Sequence, residues 1–397
     1  MDDRNSKVVD ARSPKADAIG NFLPAQYEAT RALAINHNYL GEQFAECETI
    51  FEQIREVVRT GDFTLGRAVD AFEEAFAAQV GTRYAIGVGS GTDALRLALM
   101  VSGVGAGDEV ITTPYTFYAT AGAIVTVGAR PVFVDVDEDY NLDVTRVEAA
   151  ITPRTAAIVP VHWSGRPCRM DALCGIAARY GLAVVEDAAH AIGARSGSSL
   201  AGAMGDLGCF SLHPLKNLNV WGDGGVITTD SARWAESLRL LRNHGLADRN
   251  TCEMFALNSR LDTIQAVVAH HLLGRIEAIT QARIANARRL DEALSTMAPI
   301  TVPPRAANVR EVFHLYCIRA ERRDALVAHL ITRGIDAKVH YPVPLHLQPA
   351  ARSLGYQRGD FPCAEAIADS VLSLPVHEFI DAHACERMVD AIAEFYR

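Results

Sequence analysis

Short apolar segments alternate with stretches of helical apolar spacing through the first half of the chain. Between residues 84 and 187, each apolar segment is followed by a stretch in which apolar residues recur every three or four positions. The first pattern is typical of buried strands, and the second of helices that pack on a sheet. Their regular repetition predicts an α/β fold, with a large, mostly parallel sheet and helices on both faces. The strands are predicted at residues 84–89, 109–113, 131–136, 156–161 and 182–185.

The pattern changes after residue 187. A long stretch of helical spacing covers roughly residues 260–297, and the segment beyond it mixes strand and helix patterns. There, a strand is predicted at 312–319 and helices near 323–333, near 363–372 and from 381. A chain of this length divides into more than one domain. We therefore predict an N-terminal arm at residues 1–35, a large domain at 36–275 and a smaller C-terminal α+β domain at 276–397.

Composition narrows the classes of function. The 397 residues are 49% apolar and 22% charged, with a net charge of −10, so no nucleic-acid partner is expected. The sequence contains no apolar run long enough to span a membrane and no apolar core of a signal peptide, so a cytoplasmic protein is expected. Eight scattered cysteines without a C-x-x-C pair argue against a metal site.

Lysine is rare in this chain, which has four lysines against thirty-four arginines. Lys216 stands apart from other charge, in a run of mostly apolar residues and glycines. An arginine stays charged, whereas a lysine amine can lose its proton and form an imine with an aldehyde. Lys216 is therefore the candidate catalytic residue, with a solvent-exposed surface lysine as the alternative interpretation.

Four groups of candidate binding residues lie at predicted strand ends, where ligands bind in open α/β sheets. Each group has an ordinary structural alternative: a tight turn for the glycines, a core ring for the phenylalanine and a helix N-cap for the aspartate. A glycine-rich turn before a helix suits a phosphate, an aromatic ring can stack on a heterocycle, and a buried carboxylate needs a cationic partner. The groups are Ser90-Gly91-Thr92, Phe117, Asp187 with His190, and Ser211 with Lys216.

Taken together, the four groups fit one ligand. Pyridoxal 5′-phosphate has a phosphate, a flat ring with a basic nitrogen and an aldehyde. The Ser90–Thr92 turn and Ser211 suit its phosphate, Phe117 its ring face, Asp187 its ring nitrogen and Lys216 its aldehyde. The glycine spacing of the turn departs from the dinucleotide-binding pattern, which argues against an NAD-dependent sugar epimerase.

These residues, in this order, closely resemble the sugar aminotransferases of the DegT/DnrJ/EryC/StrS family, from about residue 36 to the C-terminus. The resemblance implies fold type I, the fold of aspartate aminotransferase. It also implies a homodimer with shared active sites, in which Asn258 reaches the cofactor phosphate of the neighbouring subunit. The motifs that carry it include Glu186-Asp-Ala-Ala-His190, Lys216-Asn217, Leu241-Arg-Asn-His-Gly245, Asn258-Ser-Arg-Leu-Asp262, His340-Tyr-Pro342 and Leu372-Ser-Leu-Pro375.

The family resemblance also implies the reaction, which is transfer of an amino group from L-glutamate or L-glutamine to a keto sugar. The run Gly222-Asp-Gly-Gly225 is closer to members that aminate C3, so a 3-keto hexose is expected, linked to a nucleotide or phosphorylated. A C4-keto sugar or a keto-cyclitol is the alternative, and a regulator that binds pyridoxal phosphate is less favoured. Substrate contacts are predicted for Trp221, His346, Arg260 and Lys338.

Overall fold

The computed structural model describes residues 33–397, and the predicted N-terminal arm lies almost wholly outside this range. Helix boundaries follow local signals in the sequence. Glycines in left-handed conformation end the helices at Thr60, Val80 and Tyr180, and the Ser90 hydroxyl accepts the Asp93 N–H at the start of another. The first seven α-helices are α1 (Leu40–Gln43), α2 (Glu48–Thr60), α3 (Arg67–Val80), α4 (Gly91–Val101), α5 (Tyr118–Thr126), α6 (Val144–Val147) and α7 (Met170–Tyr180).

Six more α-helices complete the described chain. They are α8 (Ala232–Leu241), α9 (Thr263–Leu273), α10 (Ile276–Leu294), α11 (Arg323–Thr332), α12 (Pro362–Ser370) and α13 (Ala382–Tyr396). The sequence predicted one long helical stretch at 260–297, and the structure divides it into α9 and α10. Helix α8 was not predicted. Among these residues, no helix is long and apolar enough to cross a membrane.

A seven-stranded sheet forms the centre of the molecule and confirms the predicted α/β class. Its spatial order is β1-β9-β8-β5-β4-β2-β3, and β9 alone runs antiparallel to its neighbours. Strand β5 is therefore the central strand, with three strands on each side. The members are β1 (Tyr84–Val88), β2 (Glu109–Thr112), β3 (Arg130–Phe133), β4 (Thr155–Ile158), β5 (Ala183–Asp187), β8 (Leu207–Ser211) and β9 (Gly225–Thr229).

Two smaller sheets complete the fold. Residues 371–372, predicted as the end of a helix, instead begin a strand, because Val371 to Leu374 pair with Tyr316 to Arg319 and are fully buried. The domain boundary between residues 275 and 276 stays a prediction. The strands are β6 (Arg195–Ser196), β7 (Ser199–Leu200) and β11 (Val309–Arg310) in one sheet, and β10 (Ile300–Thr301), β12 (Tyr316–Ala320) and β13 (Val371–Leu374) in the other.

A buried aromatic cluster joins the large sheet to the C-terminal residues. Tyr115 and Trp163, from loops at the carboxyl ends of β2 and β4, pack with Leu315 and Phe361. The Tyr115 hydroxyl also donates to the carbonyl oxygen of His340 at 2.6 Å. These contacts hold C-terminal residues over the carboxyl ends of the parallel strands, where ligands of α/β sheets bind.

Candidate active site

A cavity of about 400 Å³ opens at the carboxyl ends of the strands, beneath the C-terminal residues. A volume of this order suits a cofactor or a small ligand. Every predicted cofactor-binding residue except Asn258 lines it, together with Lys338 from the predicted substrate contacts. The structure thus brings together residues that lie up to 248 positions apart, from Ser90 to Lys338.

A cradle for an anionic group lies where α4 begins. The first backbone N–H groups of this helix, from Gly91 onward, have no acceptor within the helix, and its dipole favours negative charge there. A side chain on Gly91 would approach the Cβ of Ser211 to 2.7 Å, and one on Gly225 would approach the carbonyl oxygen of Ser90 to 2.3 Å. Both glycines are therefore required for the close approach of β8 and β9 to the helix start.

Asp187 ends the central strand β5 and is nearly inaccessible to solvent. Burial raises the pKa of its carboxyl group, because the charged form loses hydration. Hydrogen bonds oppose this shift: Thr120 Oγ1 donates to Oδ2 at 2.8 Å, and the backbone N–H of Ala189 donates to Oδ1 at 3.2 Å. A cationic ring nitrogen beside this carboxyl group would favour its ionised form.

Lys216 is partly buried in the same cavity. Burial lowers the pKa of its amine to about 8, while the nearby Asp187 carboxylate partly opposes the shift. A substantial fraction of the amine is therefore neutral near physiological pH, which is the form that attacks a carbonyl.

Hydrogen bonds from Asn219 and Tyr39 fix the backbone of Lys216. Its carbonyl oxygen accepts from Asn219 Nδ2 at 2.9 Å and lies 3.3 Å from the Tyr39 hydroxyl. Asn219 Nδ2 also donates to Gln43 at 2.7 Å, which connects the lysine loop to α1. The preceding residue, Leu215, has a φ of +72°, a conformation that needs such support in a non-glycine residue. Asn219 therefore positions the lysine and does not contact the cavity.

Histidines form much of the cavity wall, and the sequence predicted only one of them, His190. His190 and His314 pack with ring centroids 4.2 Å apart. Burial lowers the pKa of both rings well below the usual value, so both are neutral at physiological pH. The cavity is lined by six histidines: His37, His190, His213, His314, His340 and His377. These histidines lie far apart in the sequence, so no local pattern predicted that they would meet. Only His340, besides His190, belongs to a motif that carried the family resemblance.

Three predicted substrate residues, Trp221, Arg260 and His346, lie outside the cavity of their own subunit, so their substrate contacts stay predictions. Trp221 packs against Phe44, Arg260 donates to Asn243 at 3.1 Å, and His346 is buried and bonded to Glu365 at 2.9 Å. Each of these three side chains has a packing or hydrogen-bonding partner that no local sequence pattern predicted. Asn258 is exposed and also lies outside the cavity of its own chain, so its predicted role in a second subunit stays a prediction.

Comparison with known families decides the class of this site. The sequence profile of the DegT/DnrJ/EryC1/StrS aminotransferase family matches residues 45–393. The chain belongs to this aminotransferase family. The family resemblance drawn from the motifs is thereby confirmed, and with it the prediction of an aminotransferase.

Two relatives, one named as a regulatory protein and the other as a transaminase, are similar to this chain over nearly its whole length. A "pleiotropic regulatory protein" from Geobacillus stearothermophilus is 42% identical over 90% of this chain and 97% of its own length. A dTDP-3-amino-3,4,6-trideoxy-alpha-D-glucose transaminase from Streptomyces venezuelae is 42% identical over 89% and 95%. The crystal structure of DesV from S. venezuelae, in complex with a ketimine intermediate, superimposes with a TM-score of 0.89. It shares 41% identity over 91% of this chain and 98% of its own.

The cofactor of this aminotransferase is pyridoxal phosphate. Solved family neighbours include forms with pyridoxal phosphate and with pyridoxamine phosphate. The residues that line the cavity themselves fit pyridoxal phosphate. The cavity combines a glycine-lined helix start for the phosphate, a buried carboxyl group whose ionised form a cationic ring nitrogen would favour, and a lysine amine of lowered pKa.

We predict that Gly225→Ala weakens cofactor binding about tenfold, because the added methyl group forces the Ser90 backbone away from the helix start. Equilibrium titration with pyridoxal phosphate, followed by absorbance, measures the effect. Gly175→Ala is the matched control, since a methyl group at this position in α7 meets nothing within 4 Å. Unchanged affinity in a folded Gly225→Ala protein would contradict the assigned cradle.

We also predict that an amine-specific reagent labels Lys216 of the cofactor-free protein with a midpoint near pH 8, because only the neutral amine reacts. Peptide mapping by mass spectrometry isolates this lysine from the others. In Asp187→Asn the midpoint should move to lower pH, since the carboxylate raises the lysine pKa. A midpoint near the ordinary lysine value of about 10.4 would show that burial does not control this amine.

Proposed function

We propose that this enzyme transfers an amino group from L-glutamate or L-glutamine to the keto group of a sugar. The favoured acceptor is a 3-keto hexose carried on a nucleotide or a phosphate. The observation that carries this proposal is the position of Lys216 in one cavity with Asp187 and the phosphate cradle. The name of the S. venezuelae relative, a transaminase for a 3-amino sugar, supports both the sugar and the C3 position.

Bound pyridoxal phosphate supplies an aldehyde to which amines attach and a ring that accepts electrons when a C–H bond breaks. Asp187, held by Thr120 and by the Ala189 N–H, stabilises a proton on the ring nitrogen. The Lys216 amine would hold the cofactor aldehyde, and its Nζ, when free, would accept a proton from a substrate carbon and return it. An amine with a pKa of about 8 both accepts and releases that proton near neutral pH.

The surrounding residues orient the ligands and limit access of water. Phe117, half-exposed at the start of α5, offers an aromatic face to the flat ring. Thr120 orients Asp187, and the Ser90–Thr92 turn holds the phosphate at the other end of the cavity. The amino donor and the keto sugar would use the same site in succession, because one cavity would hold the one cofactor that takes the amino group from the donor and gives it to the acceptor.

We predict that the protein loaded with pyridoxamine phosphate regains the absorbance of the aldehyde form when a 3-keto hexose nucleotide or phosphate is added. A screen that also contains C4-keto sugars and keto-cyclitols, with product analysis by NMR, identifies the position of amination. Lys216→Ala should bind the cofactor without covalent attachment and lose at least about a thousandfold in turnover. Near-normal turnover in this variant, or tight cofactor binding with no amino transfer to any acceptor, would refute the proposal.

We further propose a homodimer in which each subunit contributes Asn258 to the other cavity. Asn258 is exposed on a loop that also carries Phe255, whose side chain is fully exposed, and Met254. Large apolar side chains in such positions are typical of surfaces that bury on association. A loop of this kind can extend from one subunit to the phosphate cradle of a second.

Mixing two inactive variants tests the shared site. In a dimer of Lys216→Ala and Asn258→Ala subunits, one site lacks both residues and the other has both. We predict that random re-association restores about a quarter of wild-type activity, since half of the dimers are mixed and each has one intact site. Cofactor affinity of Asn258→Ala alone should also fall. If Asn258→Ala is inactive by itself and mixing restores nothing, Asn258 acts within its own subunit; if Asn258→Ala is fully active by itself, Asn258 has no role in the site.

A further inference from the structure

The described part of the chain contains two lysines, and both line the same cavity. Lys216 belongs to the cofactor site, which leaves Lys338 on the wall that C-terminal residues form. Its Nζ lies 3.2 Å from Asp336 Oδ2, and its side chain is 29% exposed. An ammonium group has three donors, so Lys338 retains hydrogen-bonding capacity toward the cavity beyond its contact with Asp336.

Ser373, fully buried on β13, organises this wall through both its backbone and its side chain. Its N–H and carbonyl group pair with the Lys338 backbone at 2.8 and 3.1 Å. The same carbonyl oxygen accepts from His37 Nε2 at 3.3 Å, and the Ser373 hydroxyl lies 3.0 Å from His340 Nδ1. Lys338, His37 and His340 are therefore fixed by one residue.

These contacts determine which nitrogen of His340 carries the proton. Burial lowers the pKa of His340 to about 4, so the ring is neutral at physiological pH. The Ser373 hydroxyl also touches the Cys317 thiol at 3.3 Å, but an imidazole nitrogen is a much better acceptor than sulfur. The hydroxyl therefore donates to Nδ1, and the ring proton resides on Nε2. The carbonyl oxygen of His340 is held by the Tyr115 hydroxyl, which fixes the backbone as well.

Both cavity lysines lie close to His340, and their positive charges further lower its pKa. Lys338 and the Nε2–H of His340 thus supply one cationic donor and one neutral donor to the same cavity. The other buried cation of the cavity, Arg283, has its own partners in Glu378 and the Tyr39 hydroxyl. Within residues 33–397, no group of three or more His, Cys, Asp or Glu side chains is arranged to hold a metal ion.

We propose that Lys338 and the Nε2–H of His340 form an oxyanion subsite, which binds a carboxylate or phosphate group of a substrate in the cavity that also holds Lys216. Ser373 is its positioning residue. The inference builds on the proposed amino transfer and extends it, because it assigns the anionic group of a substrate to the C-terminal wall and leaves the cofactor phosphate at the start of α4. Two sources of the anion share this chemistry, the amino donor and a sugar phosphate.

Binding of simple anions to the holoenzyme tests the subsite without turnover. Glutarate and inorganic phosphate are the probes, and their dissociation constants are measured by calorimetry with the cofactor cradle filled by pyridoxal phosphate. In Lys338→Met, at least one probe should bind about ten- to a hundredfold more weakly, and Lys338→Arg should recover part of the loss. Arg387→Met, which removes an exposed cation on α13, is the matched control and should leave binding unchanged.

Steady-state kinetics then identify the source of the anion. A rise in KM for glutamate alone assigns the subsite to the donor carboxylate, and a rise for the keto sugar alone assigns it to the sugar phosphate. An equal rise in both means that the two substrates use it in turn. Ser373→Ala should raise the same KM and leave kcat within about threefold, because it frees the His340 ring but keeps Lys216.

Two results separate the failure of the subsite from that of the proposed function. If Lys338→Met and Ser373→Ala change neither probe binding nor any KM by more than about twofold, the subsite is wrong even when amino transfer is demonstrated. If no acceptor is aminated but glutarate or phosphate binding still depends on Lys338, the anion subsite stands and the proposed reaction fails.

Discussion

Two adjacent carboxylates at the end of the central strand set the geometry on which this molecule depends. Side chains of neighbouring residues in a strand point to opposite faces, so Glu186 and Asp187 face different surroundings. Glu186 is completely buried and accepts the N–H groups of Gly202, Met204 and Gly205 at 2.6–2.8 Å, as well as His162 Nε2 at 2.7 Å. Asp187 faces the cavity. The hydrogen bonds of Glu186 fix the end of β5 and thereby hold Asp187 in position at the cavity.

The same fixed strand end explains the pKa values of the cavity. Asp187 and Lys216 are both removed from water, and the loss of hydration raises the pKa of the acid and lowers that of the amine. Their mutual attraction only partly offsets these shifts. The aromatic cluster around Tyr115 and Trp163 holds C-terminal residues over the sheet, where they cover part of the cavity. Without that cover, both groups would be hydrated and closer to their ordinary behaviour.

Much of the cofactor site was predictable, because its signals are local. Lys216 stands out as a lone lysine among arginines, Asp187 ends an apolar strand, and Gly91 opens a helix. The substrate contacts stay predictions, because of the four residues only Lys338 lines the cavity of its own subunit. Trp221 and His346 satisfy ordinary requirements for packing and hydrogen bonding, through Phe44 and Glu365, which lie far from them in sequence. A residue's type and motif do not reveal whether such a neighbour is present.

The sequence by itself determined the α/β class and the cofactor and indicated Lys216 as the candidate catalytic residue, because strand and helix periodicity and the chemistry of single residues are local properties. Only the tertiary structure decided which further residues line the cavity. His37, His314 and His340 come from separate segments, and Ser373 gathers His37 and His340 beside Lys338 through hydrogen bonds. Contacts between segments far apart in the chain follow from how the elements pack, and no local pattern encodes them.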